Sequence, residues 1–194
     1  GLLRKKGVDV VLGVCSDEAR ALNRAFMKHI TQQMPFVVAK IAQTVAEEMG
    51  MTPAESMQAY LGGLLHDLGN VGVDDDLFLA ARVLTPEETE QMRKHPGSGA
   101  EILREVSSLR HLVAGALHHH ERYDGTGYPQ GLKGEAIPVG ARIMAVADTY
   151  DALTSNRPYR DALSGMAAMA ELLRARGGTL DPHCVDALVE IVGQ

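Results

Sequence analysis

Residues 112–129 read LVAGALHHHERYDGTGYP, so apolar residues at helical spacing lead into three histidines and then a turn-rich segment. Leu112, Ala116 and Leu117 lie on one face of a helix, which we expect to face the core. The glycines and the proline that follow favour turns that hold Tyr128 out from the helix end. The stretch therefore predicts a helix that delivers histidines to an exposed loop.

Histidines and carboxylates occur together at two places in the chain. Neighbouring side chains on a helix point about 100° apart, so three successive histidines cannot all face one site. The inward face favours His119 and His120 as metal ligands and leaves His118 as a bystander. His66 and Asp67 form a second group upstream. A buried His–Asp hydrogen bond would explain an isolated pair, but the two groups together indicate a binuclear metal centre with neutral nitrogen donors and an acid that can bridge two cations.

Further candidates come from other segments. His95 precedes a Pro-Gly pair and is a possible ligand, with an exposed histidine as the alternative. Asp148 shares a helical stripe with Met144, and an acid on an apolar face must be paired, for which a metal is one solution. Arg157 and Arg160 follow and suit bidentate phosphate recognition, although cations at a solvated helix end would give the same pattern.

The rest of the chain predicts an all-α fold. Thr52 and Thr85 each precede Pro and Glu in the pattern of a capping box. After Thr52, apolar residues at spacings of three and four predict the buried face of a helix: Met57, Leu61, Leu64, Leu65 and Leu68. We predict helices over 17–33, 35–49, 52–66, about 107–120, about 139–154, 163–175 and 182–192, and a functional loop over 121–137.

Composition limits the functional class. The chain has 194 residues, 45% of them hydrophobic, and a net charge of −6, which argues against general nucleic-acid binding. No apolar run approaches the roughly 18 residues that span a bilayer, so we expect no membrane insertion. The N-terminus does not resemble a secretory signal, and two cysteines far apart in sequence fit free thiols. We therefore expect a cytoplasmic protein.

Residues 34–192 resemble the HD-GYP domains, a branch of the HD metal-dependent phosphohydrolase superfamily. The resemblance rests on HDLG at 66–69, RKHP at 93–96, HHERYDGTGYP at 119–129, and AD at 147–148 with RPYR at 157–160. It implies an HD-type helical bundle with a functional Gly-Tyr-Pro loop. We assign 17–194 to this domain and expect 1–16 to be a linker or the tail of an upstream domain.

The resemblance also implies a function. HD-GYP domains hydrolyse the bacterial second messenger cyclic di-GMP to linear pGpG or on to GMP, at a site with two or three metal ions, often iron or manganese. It implies six metal ligands: His66, Asp67, His95, His119, His120 and Asp148. It implies substrate contacts for Tyr128, Arg157 and Arg160. It suggests an upstream sensory or receiver domain, and a diguanylate cyclase (GGDEF) domain that docks on the Gly-Tyr-Pro loop.

The chain departs from the family pattern at three positions. Asn70 stands where the family usually has a lysine, so we expect Asn70 to serve as a weaker, neutral catalytic and substrate contact beside Asp67. Met34 and Ile30 stand where the family has a histidine and, in trinuclear members, a glutamate. A methionine thioether is a poor ligand for hard cations, so we predict two metal ions rather than three and one site short of a ligand.

Three functions remain open at this stage. The first is a cyclic di-GMP phosphodiesterase with activity reduced at Asn70, Met34 and Ile30. The second is a degenerate domain that binds cyclic di-GMP or a partner protein with little or no hydrolysis. The third is an HD phosphohydrolase that acts on another nucleotide.

Overall fold

The computed structural model describes residues 35–78, 80, 82–156 and 161–193, and all regular secondary structure in them is helical. One isolated bridge pairs Arg176 with Leu180. The all-α prediction is confirmed for this part of the chain. The predicted helix over 17–33 and the expected linker over 1–16 lie outside the described residues.

Nine α-helices and three short 3₁₀ turns make up this part of the chain. The helices are α1 (Pro35–Glu48), α2 (Pro53–Leu65), α3 (Asp75–Phe78), α4 (Pro86–Met92), α5 (His95–Glu105), α6 (Val113–His118), α7 (Val139–Thr154), α8 (Gly165–Ala175) and α9 (Pro182–Gly193). The 3₁₀ turns are Leu68–Gly72, Ser107–Leu112 and Gly134–Ala136. None of the described helices is both long enough and apolar enough to cross a membrane.

Helices α2 and α4 begin at the predicted capping boxes. The Thr52 hydroxyl accepts a hydrogen bond from the Glu55 N–H at 3.3 Å, and the Glu55 carboxylate accepts one from the Thr52 N–H at 2.8 Å. Thr85 and Glu88 repeat the exchange. Each pair satisfies two N–H groups that the first turn leaves without a helical partner, which is why the sequence sets both starts correctly.

The predicted apolar face of α2 is wrong at its beginning. Met57 is 49% exposed, whereas the buried residues of the helix are the small ones, Ser56, Ala59, Gly62 and Gly63. A Cβ on Gly63 would lie 2.5 Å from the Cα of Ala39, so α1 and α2 touch backbone to backbone there. Gly63 therefore faces α1, whereas a Cβ on Gly62 would lie 3.2 Å from the sulfur of Met144 in α7.

The larger apolar core lies among α1, α7, α8 and α9, and includes Val45, Val146, Leu172 and Val185. Helix α7 is central, because it packs against α1, α2, α6, α8 and α9. A second cluster consists of Leu68, Leu103, Leu112 and Ala116, with Leu61 and Leu65 of α2 packed against it. Each fully buried large aliphatic side chain contributes about 1.5–3 kcal/mol to folding. The two clusters hold α2, α5, α6 and α7 together, and the histidines lie at the ends of three of these helices.

A buried ion pair joins α7 to the start of α9. Asp181 is 2% exposed, and its Oδ2 accepts a hydrogen bond from the Arg142 guanidinium at 2.5 Å. Its other oxygen accepts the N–H groups of His183 and Cys184. The predicted helix over 182–192 is confirmed as α9, and Asp181 fixes the first turn of that helix to the central helix α7.

Candidate metal centre

Three helix ends bring the site together. Helix α2 ends at Leu65, directly before His66 and Asp67, while α5 begins at His95 and α6 ends just before His119 and His120. These positions are far apart in sequence, so the helix packing determines the geometry of the site.

Gly69 lets the turn after Asp67 approach α5. A Cβ on Gly69 would lie 1.8 Å from the carbonyl oxygen of His95 and 2.5 Å from the backbone nitrogen of Gly99. No real side chain fits at such distances, so only glycine allows this contact. The 3₁₀ turn Leu68–Gly72 therefore rests on the backbone of α5, close to the residue that begins that helix.

Three histidine rings are oriented by their own helices. The Nδ1 atoms of His66, His95 and His119 each lie within hydrogen-bond distance of the carbonyl oxygen three residues earlier, at 2.8, 2.7 and 2.7 Å. A carbonyl oxygen can only accept, so Nδ1 donates in each case. In the neutral ring the lone pair then lies on Nε2.

The Nε2 atoms converge on one another and on Asp67. Nε2 of His95 lies 3.3 Å from that of His119 and 3.2 Å from that of His120. Oδ1 of Asp67 lies 3.2 Å from Nε2 of His95 and 3.6 Å from that of His119. The other oxygen, Oδ2, lies 3.6 Å from Nε2 of His66. The two carboxylate oxygens of Asp67 thus face different histidines.

The electrostatics keep the donors in their ligand forms. Burial, followed by the neighbouring rings of His119 and His95, lowers the pKa of His120 to about 2. Burial also lowers the pKa of His119. Burial alone would raise the pKa of Asp67, but His66, His119 and His95 outweigh it and hold that pKa well below its usual range. At neutral pH, His119 and His120 are neutral and Asp67 is ionised.

His66 lies close to the carboxylates of Asp67, Asp148 and Asp151. Burial works to lower its pKa, but the carboxylates of Asp67 and Asp148 outweigh burial and raise it. The same two carboxylates therefore favour positive charge beside His66.

A divalent cation fits this donor set. One ligand atom each from Asp67, His95, His119 and His120 lies within 4.8 Å of all the others. Metal bonds of about 2.0–2.2 Å place adjacent ligand atoms about 3–3.5 Å apart, which is the spacing between the Nε2 atoms. Lone pairs that face each other at such distances repel unless a cation or a proton lies between them. The chemistry of the cluster therefore suits a divalent metal ion.

A cleft of about 310 Å³ opens beside the cluster and is lined by His119, His120, Tyr128 and Asp148, among others. The ring of Tyr128 stacks on that of His120, with centroids 4.8 Å apart and planes inclined by 22°. The guanidinium of Arg93 lies over the ring of Tyr128, 5.2 Å from its centroid. The loop thus places Tyr128 beside the histidine cluster.

Two residues of the site had no predicted role. Arg93 brings a positive charge to the cleft, which suits an anionic ligand. Glu121 is 3% exposed, and its carboxylate accepts two backbone N–H groups from the loop. Arg93 lies in the motif RKHP at 93–96, and Glu121 lies in HHERYDGTGYP at 119–129. The role of each depends on contacts with the folded loop, which the motifs do not reveal. His118, the expected bystander, is buried, and its Nδ1 lies 3.7 Å from Oε1 of Glu121.

The remaining predicted residues fall in two classes. Asn70 is 8% exposed, and its amide oxygen has no hydrogen-bond partner in the described part of the chain. Asn70 is not one of the described residues that line the cleft. Arg157, Arg160, Met34 and Ile30 lie outside the described residues.

Comparison with known proteins gives a consistent picture. A family model described as an HD domain matches residues 14–184. A cyclic di-GMP phosphodiesterase response regulator, RpfG of Xanthomonas campestris pv. campestris, is 47% identical over 152 residues, which are 77% of this chain and 40% of that protein. A cyclic di-GMP phosphodiesterase of Thermotoga maritima is 41% identical over 149 residues, which are 76% of this chain and 40% of that protein. The chain thus spans about 40% of the length of these relatives.

The fold is also found in a solved structure. Bd1817, an HDG"Y"P protein from Bdellovibrio bacteriovorus, superimposes with a TM-score of 0.67 over 82% of this chain and 51% of that chain. The sequence identity is 23%, so this similarity concerns the fold.

Proposed function

The chain belongs to the HD domain family, as its resemblance to the HD-GYP branch predicted, and we propose that it is a metal-dependent phosphodiesterase of cyclic di-GMP. The products would be linear pGpG, GMP or both. The proposal is supported by two relatives that are named cyclic di-GMP phosphodiesterases and match over three quarters of the chain.

One observation carries the proposal. The Nε2 atoms of His95, His119 and His120 converge with the Asp67 carboxylate at the edge of an open cleft. The rings of His95 and His119 are held by backbone carbonyls and present lone pairs at Nε2 rather than protons, which is the arrangement that metal ligands require. A merely structural histidine cluster would instead pair donors with acceptors.

We propose that the site holds two divalent cations, iron or manganese. His66, Asp67, His95, His119, His120 and Asp148 would be the ligands, with Asp67 between the two positions because its two oxygens face different histidines. When bound, the cations would polarise the phosphodiester and lower the pKa of an attacking water. Asp67, ionised at neutral pH, would hold them together.

The cleft side chains would bind the nucleotide. Tyr128 lines the cleft beside His120 and would contact a guanine base or the ribose-phosphate backbone. Arg93 adds positive charge over that ring. Arg157 and Arg160 are proposed as phosphate contacts on the basis of the sequence, through charge-assisted hydrogen bonds.

The experiment that tests this function measures metal content and turnover in the same preparation. Protein reconstituted anaerobically with Fe²⁺ or Mn²⁺ is incubated with cyclic di-GMP, and pGpG and GMP are separated by chromatography. We expect turnover that chelation abolishes and that metal restores. Bound metal with no product would reject hydrolysis of this substrate.

A second candidate function has its own observation. Asn70 supplies no charge where a lysine is usual, and it is buried outside the described lining of the cleft. A degenerate domain that binds cyclic di-GMP or a partner protein would tolerate this change. Binding of cyclic di-GMP without turnover by the metal-loaded parent in the same experiment would favour this alternative.

The partners and the location follow from the same proposal. A relative named as a response regulator supports an upstream receiver or sensory domain in a longer parent protein. The Gly-Tyr-Pro loop is the proposed docking surface for a GGDEF domain. The cytoplasmic location expected for an enzyme of this messenger stays a prediction.

A further inference from the structure

Glu121 is a buried carboxylate that the metal cluster does not use. Its side chain is fully buried, and its oxygens do not belong to the group of ligand atoms around Asp67. Burying a carboxylate is costly unless it is paired or hydrogen-bonded. The hydrogen-bond partners of Glu121 therefore indicate which part of the structure this buried carboxylate stabilises.

Both oxygens of Glu121 hold the loop. Oε1 accepts a hydrogen bond from the N–H of Gln130 at 2.7 Å, and Oε2 accepts one from the N–H of Leu132 at 3.0 Å. In the described part of the chain, the one side chain within 4.0 Å that could carry positive charge is His118, at 3.7 Å. Two backbone N–H groups of the loop are thus the partners of this carboxylate, and such charge-assisted bonds are about twice as strong as neutral ones.

The other end of the same segment is fixed to the backbone of the helix end. A Cβ on Gly127 would lie 2.6 Å from the Cα of Glu121 and 2.3 Å from the nitrogen of Arg122. The N–H of Tyr128 donates to the carbonyl oxygen of His120 at 3.2 Å. Tyr128 therefore lies between a backbone contact on one side and the two Glu121 hydrogen bonds on the other.

We propose that Glu121 is a positioning residue for substrate binding: it holds residues 127–132 in the conformation that stacks Tyr128 on His120. The proposal rests on the proposed function, because the affinity that Tyr128 would control is that for cyclic di-GMP. Glu121 acts through Tyr128 and does not contact the metal ions or the nucleotide.

The substitution Glu121→Gln tests this role with little change of volume. The amide keeps one acceptor oxygen but turns an NH₂ group towards an N–H donor, so one of the two loop bonds is lost. The matched control is Glu135→Gln, which changes an exposed glutamate in the 3₁₀ turn of the same loop. Both substitutions are also made in a Tyr128→Ala background.

The first measurement is affinity for a non-hydrolysable phosphorothioate analogue of cyclic di-GMP, together with metal content. We expect Glu121→Gln to raise Kd by about tenfold with unchanged metal content, since one charge-assisted bond is lost. Glu135→Gln should leave Kd unchanged. In the Tyr128→Ala background, Glu121→Gln should add no further loss. Unchanged affinity, loss of metal, or an equal loss without Tyr128 would each overturn the proposal.

The second measurement does not depend on the nucleotide. Hydrogen–deuterium exchange of the amides of Gln130 and Leu132 should accelerate in Glu121→Gln and stay at the parent rate in Glu135→Gln. If the parent protein does not bind the analogue, the proposed function fails. The exchange rates of the Gln130 and Leu132 amides then test by themselves whether Glu121 holds the loop. Exchange at the parent rate in Glu121→Gln would overturn its role in holding the loop.

Discussion

Oδ1 of Asp67 lies 3.2 Å from Nε2 of His95, although Asp67 follows α2 and His95 begins α5. The contact joins a carboxylate whose pKa is held low to a ring whose Nδ1 is engaged by the carbonyl of Met92. Two parts of the chain that are distant in sequence therefore bring a carboxylate oxygen and an imidazole nitrogen, both possible metal ligands, to one point.

Asp67→Ala should remove all bound metal at once, because the two oxygens of the carboxylate face different histidines and would serve both cations. Elemental analysis of reconstituted protein should give two metals per chain for the parent and none for the variant. The matched control is His118→Gln, which changes a buried neighbour outside the cluster and should retain the parent content. One metal retained in Asp67→Ala would contradict a bridging role.

Gly69→Ala should disrupt both the fold and the site. The new Cβ would overlap the carbonyl oxygen of His95, so α5 must move away from Asp67. We expect a loss of about 3 kcal/mol in the free energy of unfolding, at the upper end for overpacking, and weaker metal binding. Gly72→Ala is the control, since its Cβ would meet nothing within 4 Å. Urea unfolding curves of the metal-free proteins measure the difference; equal midpoints would refute the close contact.

Tyr128→Ala should weaken binding of cyclic di-GMP and leave the metal content intact. The ring lies on His120, and among the described residues the cluster of ligand atoms consists of three histidines and one aspartate. Contact of a base with an aromatic ring is worth about 1–3 kcal/mol, so we expect Kd to rise by about 5- to 150-fold. Tyr128→Phe keeps the ring and should bind nearly as well as the parent. Calorimetry with the phosphorothioate analogue decides; parent-like affinity in Tyr128→Ala would place the base elsewhere.

Asn70→Lys should accelerate hydrolysis with little change in affinity. Loss of one electrostatic donor in a transition state typically costs about 10²–10³ in rate, and the substitution would restore part of it. Asn70→Met has similar length without charge and should give no gain. Single-turnover hydrolysis by parent and variants loaded with the same metal is the measurement. A parent that is already fast, or equal rates for Lys and Met, would remove Asn70 from the explanation of weak activity.

Asp181→Asn should destabilise the protein at neutral pH and much less in acid. Burial alone would raise the pKa of Asp181, but Arg142 and two backbone N–H groups outweigh it and lower that pKa. The stabilisation is therefore present above the unfolded pKa of about 3.9 and is lost as pH falls through the lower folded value. Removing one partner of a buried pair costs about 3–5 kcal/mol. Urea unfolding measures the free energy of unfolding of the parent and of Asp181→Asn. The difference between the two proteins should be smaller below about pH 4 than near pH 7.

The pair of Asp186 with Arg176 provides the control for this measurement. Both of its side chains are largely exposed, although the carboxylate and guanidinium lie only 2.6 Å apart. Solvent screens such a pair, so Asp186→Asn should change stability little at any pH. Equal losses in the two variants would show that burial does not distinguish the two ion pairs.

The sequence predicted local features well and long-range ones only in part. The starts at Thr52 and Thr85 depend on hydrogen bonds within four residues, so the pattern contained all the necessary information. The buried face of α2 was wrong at Met57 because the approach of α1 at Gly63 depends on a partner helix that periodicity does not reveal.

The site shows the same division. His119 was separated from His118 as a ligand by the geometry of one helix, and the structure brings His119 into the cluster without His118. The role of Glu121 was missed because its partners are backbone N–H groups of Gln130 and Leu132, which carry no side-chain signature. The signal that the sequence did contain was a glutamate directly after the predicted ligand pair His119 and His120.

The hydrogen bonds from Nδ1 of His66, His95 and His119 to carbonyls one turn earlier have a thermodynamic consequence. Each ring is oriented by its own backbone, so the donors are preorganised and little side-chain entropy remains to be lost when an ion arrives. The affinity for a cation is then governed mainly by desolvation of the ion and of the ligands. One metal ion could then be exchanged for another while the ligands stay in place, without refolding of the surrounding helices.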